Sequence, residues 1–457
     1  PPPKETRSSP VRLRAKAMAL APPPLEPSAD ADKLSYEIFS ILESKFLFGY
    51  DDPNLLLSSS ASSAAASAPR PAGRVRILSI DGCGRPSDAL LAAVSLARLE
   101  SSLRRRSCDP SVRVADFFDV AAGSGAGGVL AAMLFTRGPD GRPLYAADEA
   151  LRFLLSQTGR SSSGHFAPAR RGPLGWLFRR RPGAVLRRVF GDATLRDTVK
   201  PVLAPCYDLA TGAPFLFSRA DAVEADGYDF RIREVCAATC ADPALGAAPV
   251  EMRSTDGRTW IAAVGGGVTM ANPAAAAITH VLNNKREFPF AAGVEDLMVL
   301  SLGSTSGGSL GAEGRRRRQV PSAAELVRIA GDGVADMVDQ AIAMAFGPNG
   351  ISNYVRIQAN GFGSGNYTPK SSNATKLLSS LEETLSQKNV ESLLFRGKKM
   401  SDQSNGEKIE WFASEIAKED ERRKKSRIPV VVLKQVVSPR TSSTAASIVI
   451  DGDREKT

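Results

Sequence analysis

Short apolar runs separated by longer helical patterns recur between residues 74 and 360. VRILSI (75–80) carries only two polar positions and reads as a buried strand that stops at Asp81-Gly82. DALLAAVSLARLESSLRRR (88–106) repeats its apolar residues every three or four positions and predicts a helix. DFFDVAA (116–122) predicts a second strand, which passes through glycines into a helix over GVLAAMLF (128–135). Further strands are expected at PFLFS (214–218), TWIAAV (259–264), LMVLSLG (297–303) and NYVRIQA (353–359). This alternation predicts an α/β fold with a mainly parallel central sheet covered by helices.

The flanks differ in character. Residues 1–32 are rich in Pro, Ala and Arg and read as a disordered or non-native leader, with Met18 a candidate start. Residues 33–73 read as an amphipathic helix, with Leu34, Ile38, Ile41, Leu42 and Phe46 on one face, followed by a Ser/Ala-rich linker. The folded domain is expected at 74–360, a helical extension at 361–435 and a disordered tail at 436–457. The charged stretch beyond 400, with ERRKKSR at 421–427, reads as frayed.

Composition narrows the chemistry. In 457 residues, 59 Lys+Arg face 49 Asp+Glu for a formal charge of +10, and 43% hydrophobic residues suit a folded core rather than wholesale disorder. The two histidines, His165 and His280, leave little scope for mechanisms built on histidine pairs. Five scattered cysteines without a C-x-x-C pair point to a reducing compartment and to buried thiols rather than a metal site. No cofactor is implied. No apolar run is long enough to span a bilayer, so a cytoplasmic, peripheral protein is expected, with a plastid location as the alternative.

Between Glu149 and Asp192 no acidic residue occurs, while Arg170, Arg171, Arg179, Arg180, Arg181, Arg187 and Arg188 surround PLGWLF (173–178). Trp176 beside Arg179, Arg180 and Arg181 suits an anionic membrane surface, because the ring enters the headgroup boundary while guanidinium groups pair with phosphates. A solvated basic loop anchored by one aromatic residue fits the same pattern. Nucleic acid fits less well, since no binding motif accompanies the charge. Nothing in the pattern identifies a protein partner.

Two glycine turns carry the candidate chemistry. Gly123-Ser124-Gly125-Ala126-Gly127-Gly128 joins a strand to a helix, and reads either as a G-x-G-x-x-G dinucleotide turn or as a G-x-S-x-G elbow with Gly125 in the place of serine. The dinucleotide turn belongs on the first strand of its unit, and here another strand precedes it. Asp81-Gly82-Cys83-Gly84 follows that first strand, where backbone N–H groups can converge on an oxyanion.

With both turns in order, the chain resembles the patatin-like phospholipases, in particular a plant patatin-related group whose elbow reads G-x-G-x-G. The resemblance implies a three-layer α/β/α fold, an oxyanion hole at Gly82, Cys83 and Gly84, and an elbow at Gly123, Ser124, Ala126 and Gly127. It continues through VCAATCADP (235–243) and VGGGVTMANPAAAAITHVLNNKREFP (264–289). It implies a lipid acyl hydrolase acting on membrane phospho- or galactolipids, or on another fatty-acyl substrate, through a Ser-Asp dyad without histidine. Here Gly125 occupies the serine position and Gly265 the aspartate position. A catalytically silent lipid-binding or regulatory protein is the alternative. Ser124 is expected to point away from the apex, and the pair Gly125→Ser with Gly265→Asp to rebuild the dyad.

Overall fold

The computed structural model describes residues 73–82, 86–159, 182–243, 247–306, 320, 322–347, 353–360, 374–393 and 397–434. The 33–48 helix, the loop with Trp176, Arg179, Arg180 and Arg181, and the residues Cys83 and Gly84 lie outside these described residues.

Strand β1 (Val75–Ile80) is buried along its whole length, as a strand covered by helices on both faces requires. It pairs in parallel with β2 (Val120–Gly123) on one edge and β7 (Leu297–Ser306) on the other, and β8 (Tyr354–Asn360) continues the parallel run beyond β7. Past β2, β3 (Val202–Asp208) is also parallel, whereas β4 (Ala213–Ser218), β6 (Trp260–Gly265) and β5 (Val250–Arg253) are antiparallel additions. The sheet is therefore mixed, with its parallel half at the centre.

Helices α1 (Pro86–Ser107), α3 (Ala126–Phe135) and α4 (Ala147–Gly159) pack on one face around Leu78, Ile80, Leu300 and Leu302. On the other face α8 (Ala274–Asn283) and α9 (Ala323–Phe346) cover Val75, Ile77, Val120 and Val299. All ten residues of α3 are buried, so the element that carries the candidate elbow lies inside the molecule.

Two expectations fail for identifiable reasons. Asp116 and Phe117 are helical, in the short α2 (Val114–Phe117), and the strand starts only at Val120. The Asp116 carboxylate accepts the Arg113 N–H at 2.8 Å and Glu100 accepts the Val114 N–H at 2.9 Å, which closes a turn where apolar content alone suggested extension. The 361–435 segment is not purely helical, because β9 (Lys388–Leu393) and β10 (Gly397–Ser404) form an antiparallel hairpin between α10 (Ala374–Ser386) and α11 (Asn405–Lys424).

Nor is the charged stretch frayed. Ser404 caps α11 through a reciprocal pair with Glu407, and Ile409, Phe412, Ala413 and Ile416 bury one face, with Phe412 stacked on Phe118 at 6.2 Å. Each large apolar side chain so placed stabilises by roughly 1.5–3 kcal/mol, which outweighs the polar exterior. The opposite end of that face is ionic. Glu419 accepts the Arg74 N–H at 2.6 Å and pairs with Arg422, Asp420 takes Arg76 at 2.9 Å, and Arg423 reaches Asp119 at 3.1 Å. Because the Glu419 side chain is fully buried, Glu419→Ala should leave Arg74 uncompensated and lower unfolding stability by about 3–5 kcal/mol in chemical denaturation. A loss below about 1 kcal/mol would show that α11 docks by its apolar face alone.

Candidate active site

At the end of β2 the chain reverses through Gly125, whose φ of 55° and ψ of −127° fall in a sparsely populated region. Helix α3 starts at the next residue, and the Gly125 carbonyl accepts the Gly128 N–H at 3.0 Å. A strand, a glycine at positive φ and a helix in succession match the backbone of a nucleophile elbow. The apex is present and its side chain is not.

What occupies the space beyond the apex is backbone. A Cβ built on Gly125 would lie 2.5 Å from the Gly82 carbonyl oxygen, and one on Gly82 would collide with the Ser124 carbonyl. The two glycine turns are thus in direct contact, and neither position accepts a side chain without movement of the other. Ser124 is fully buried with its hydroxyl unpartnered.

Thr239, the last residue of α7 (Ile232–Thr239), ties the elbow to strand β3. Its hydroxyl accepts the Gly125 N–H at 3.0 Å and donates to the Pro205 carbonyl at 3.0 Å. Because β4 pairs with Leu203–Asp208, β2 and β6 must share the remaining edge of β3, β2 at Val202–Leu203 and β6 at Cys206–Asp208. The end of β6 therefore arrives beside the end of β2, which brings Gly265 to the same locality as Gly125. The Gly265 N–H donates to Ala241 at 2.5 Å, and a Cβ there would lie 2.8 Å from the Thr239 carbonyl. The Gly125→Ser and Gly265→Asp pair thus meets backbone at both positions, contrary to the simple rebuilding expected from sequence.

Beneath the Asp81-Gly82 turn lies a buried ionic cluster. Arg356 donates to Asp81 at 2.7 Å and to the Ser301 hydroxyl at 2.6 Å, and stands 3.6 Å from Asp339, which also accepts the Tyr354 hydroxyl at 2.6 Å. Burial raises the carboxyl pKa of both Asp81 and Asp339, with Arg356 opposing it. Two carboxylates share one guanidinium, and Asp81 keeps one oxygen unpartnered. Gly303 makes room for this arrangement, since a Cβ there would lie 2.8 Å from the guanidinium. Arginine inside the apolar run of β8 was the available sequence signal for the cluster. Thr239 lay in a segment already matched to the family but gave no separate sign.

Other candidate groups do not assemble into a catalytic set. Burial lowers the His280 pKa to about 4, so the ring is neutral, and it packs against Phe288 at 6.2 Å. Cys206, Cys236 and Cys240 are buried and burial pushes their thiols up, as expected for Cys236 and Cys240, whereas Cys108 is exposed. Among the described residues no cluster of three or more His, Cys, Asp or Glu could hold a metal ion. Behind the elbow a closed cavity of about 10 Å³, lined by Gly128, Ala132, Ala204, Cys236 and Thr239, has room for one water at most.

Residues 88–278 match the family model described as Patatin-like phospholipase. The chain is 53% identical over 403 residues to Patatin-like protein 3 of Oryza sativa subsp. indica, covering 86% of this chain and 92% of that protein. It is 49% identical over 440 residues to Patatin-like protein 7 of Arabidopsis thaliana, covering 92% and 88%. It is also 40% identical over 400 residues to a protein of Arabidopsis thaliana named "Probable inactive patatin-like protein 9", covering 85% and 93%.

Replacing Gly125 with alanine tests the elbow geometry. The combination of a positive φ and the 2.5 Å approach to Gly82 should lower stability by about 1–3 kcal/mol, measured by thermal or chemical unfolding. A neutral substitution would mean that the turn relaxes without cost.

Proposed function

Because the chain belongs to the patatin-like phospholipase family, we propose that it is a lipid acyl hydrolase acting on membrane phospho- or galactolipids, through a site that lacks both dyad side chains. The observation that carries this is the retained elbow backbone, in which a buried strand-to-helix turn passes through Gly125 at a positive φ that glycine adopts freely. With no hydroxyl at the apex, the protein's contribution reduces to binding the acyl group and polarising its carbonyl with backbone N–H groups. Water is then the nucleophile, and without an adjacent carboxylate its activation is weak. Turnover should be slow. The protein would meet its lipid as a peripheral, cytoplasmic protein, with the Trp176 and Arg179–Arg181 loop pairing with anionic headgroups and a plastid location as the alternative.

A second function, lipid binding without turnover, is favoured by a specific contact. The Gly82 carbonyl fills the position from which a nucleophile would extend, which suits a regulatory protein that retains lipid recognition.

Purified full-length protein incubated with labelled phosphatidylcholine and galactolipid separates the two. Hydrolysis above buffer, yet at least about 10³-fold slower than by a serine-bearing relative, is expected, together with no labelling by fluorophosphonates. Stoichiometric labelling at Ser124 would contradict the site assignment. Lipid binding with no turnover would favour the silent function.

A further inference from the structure

Helix α9 carries two faces of regular spacing, and only one of them is used by the fold. Gly331, Ala335, Asp339, Ile342 and Phe346 are buried at steps of four or three residues, and Ile342 and Phe346 join the core around Val75 and Ile77. On the opposite side Val327, Ala330, Val334, Met337, Ala341 and Met344 alternate steps of three and four without a break. All six are exposed, Met337 by 60% and Met344 by 73%. Core packing does not call for this second stripe, and its 3.5-residue period is the one that meets another helix. It runs for about 25 Å at helical rise.

Charge decides what the stripe can face. The charged residues of the helix are Glu325, Asp332, Asp336 and Asp339 against Arg328 alone. A helix that lies on anionic headgroups carries the reverse balance, with Lys and Arg on its polar side, so lipid is a poor occupant. The positions that flank the stripe hold Leu326, Gly333 and Gln340 on one side and Gly331, Val338 and Ala345 on the other. With no charge in the stripe or beside it, two copies of the same face meet without like-charge repulsion.

The stripe is also complementary to itself. In an antiparallel pair centred between Ala335 and Asp336, Val327 faces the partner's Met344, Ala330 faces the partner's Ala341, and Val334 faces the partner's Met337. The two-fold axis repeats each of these contacts, which is what an isologous interface demands. Each stiff Val meets an adaptable Met that can fill the gap beside it, and each Ala meets an Ala, so the helix axes can approach closely. We propose that α9 is the interface of a homodimer, in which two copies of this chain pack antiparallel through these six residues. The same helix sets Asp339 3.6 Å from Arg356 and Gly331 against the Gly267 carbonyl, so the dimer braces the helix that supports the candidate site. The inference stands whether or not that site turns over lipid. One helix pair is smaller than the standard interface of about 1,600 Å², so the dimer should be reversible, with a dissociation constant on the order of 10 µM.

Sedimentation equilibrium of the full chain between about 1 and 200 µM tests this, a range that brackets the expected constant. Wild type should pass from monomer to dimer and no further, because a closed two-fold contact leaves no second patch. Val334→Lys and Met337→Glu should each weaken association about tenfold or more, since each sets a charge in the apolar seam. An equimolar mixture of these two variants should regain dimer, because one central layer then pairs Lys with Glu while the other keeps Met against Val. A parallel pair does not bring those positions together and gives no such rescue. Ala341→Leu adds apolar surface yet should weaken association about tenfold, because the Ala layer has no room for it. The substituted positions are exposed, and unchanged thermal unfolding of each variant at the lowest concentration checks that it folds. A wild type that stays monomeric throughout, tighter association by Ala341→Leu, or no rescue in the mixture would each overturn the proposal. So would loss of the dimer on vesicles of phosphatidylcholine and phosphatidylserine, which would make lipid the occupant.

Discussion

The contact between the Gly82 carbonyl and the apex at Gly125 constrains everything around it. Each turn needs glycine because the other is there, and the approach is closer than any side-chain carbon tolerates. The buried α3 fixes the elbow from one side, while Arg356 holds Asp81, and with it the start of the other turn, from below. A site of this kind is pre-organised in backbone and empty in side chain. That combination fits the proposal that the elbow geometry persists here without the nucleophile and carboxylate of the family's dyad.

The same constraint couples elements far apart in sequence. Thr239 links the elbow to β3 through one hydroxyl, and the sharing of a single edge of β3 by β2 and β6 delivers Gly265 to the elbow. The ionic attachment of α11 at the start of β1 acts at the opposite end of the strands and leaves the site end free. The ionic attachment and the proposed site thereby lie at different ends of the same parallel strands.

Much of this was legible in the sequence. The apolar runs of β1, β7 and β8 were visible because buried strands of a parallel sheet are nearly continuous in hydrophobicity, while the antiparallel β4 and β6 and the helices at 88–106 and 128–135 showed through their own apolar runs and spacing. β3 escaped notice, since VLAPCYD carries a proline and polar residues that tertiary pairing with three neighbours overrides. α11 looked frayed because four buried apolar residues are spread among many charges. At the site the two glycine positions could be found from order and spacing, whereas the steric conflict between them could not. Spacing reports which residues neighbour a turn, not how near two turns approach.

A crystal structure of the Gly125→Ser variant addresses the central claim most directly. The account predicts that residue 125 keeps its positive φ and that the Asp81-Gly82 turn moves away from the elbow, because a Cβ at 2.5 Å from the Gly82 oxygen cannot be accommodated in place. A serine seated at the apex with the Gly82 carbonyl unmoved would contradict it.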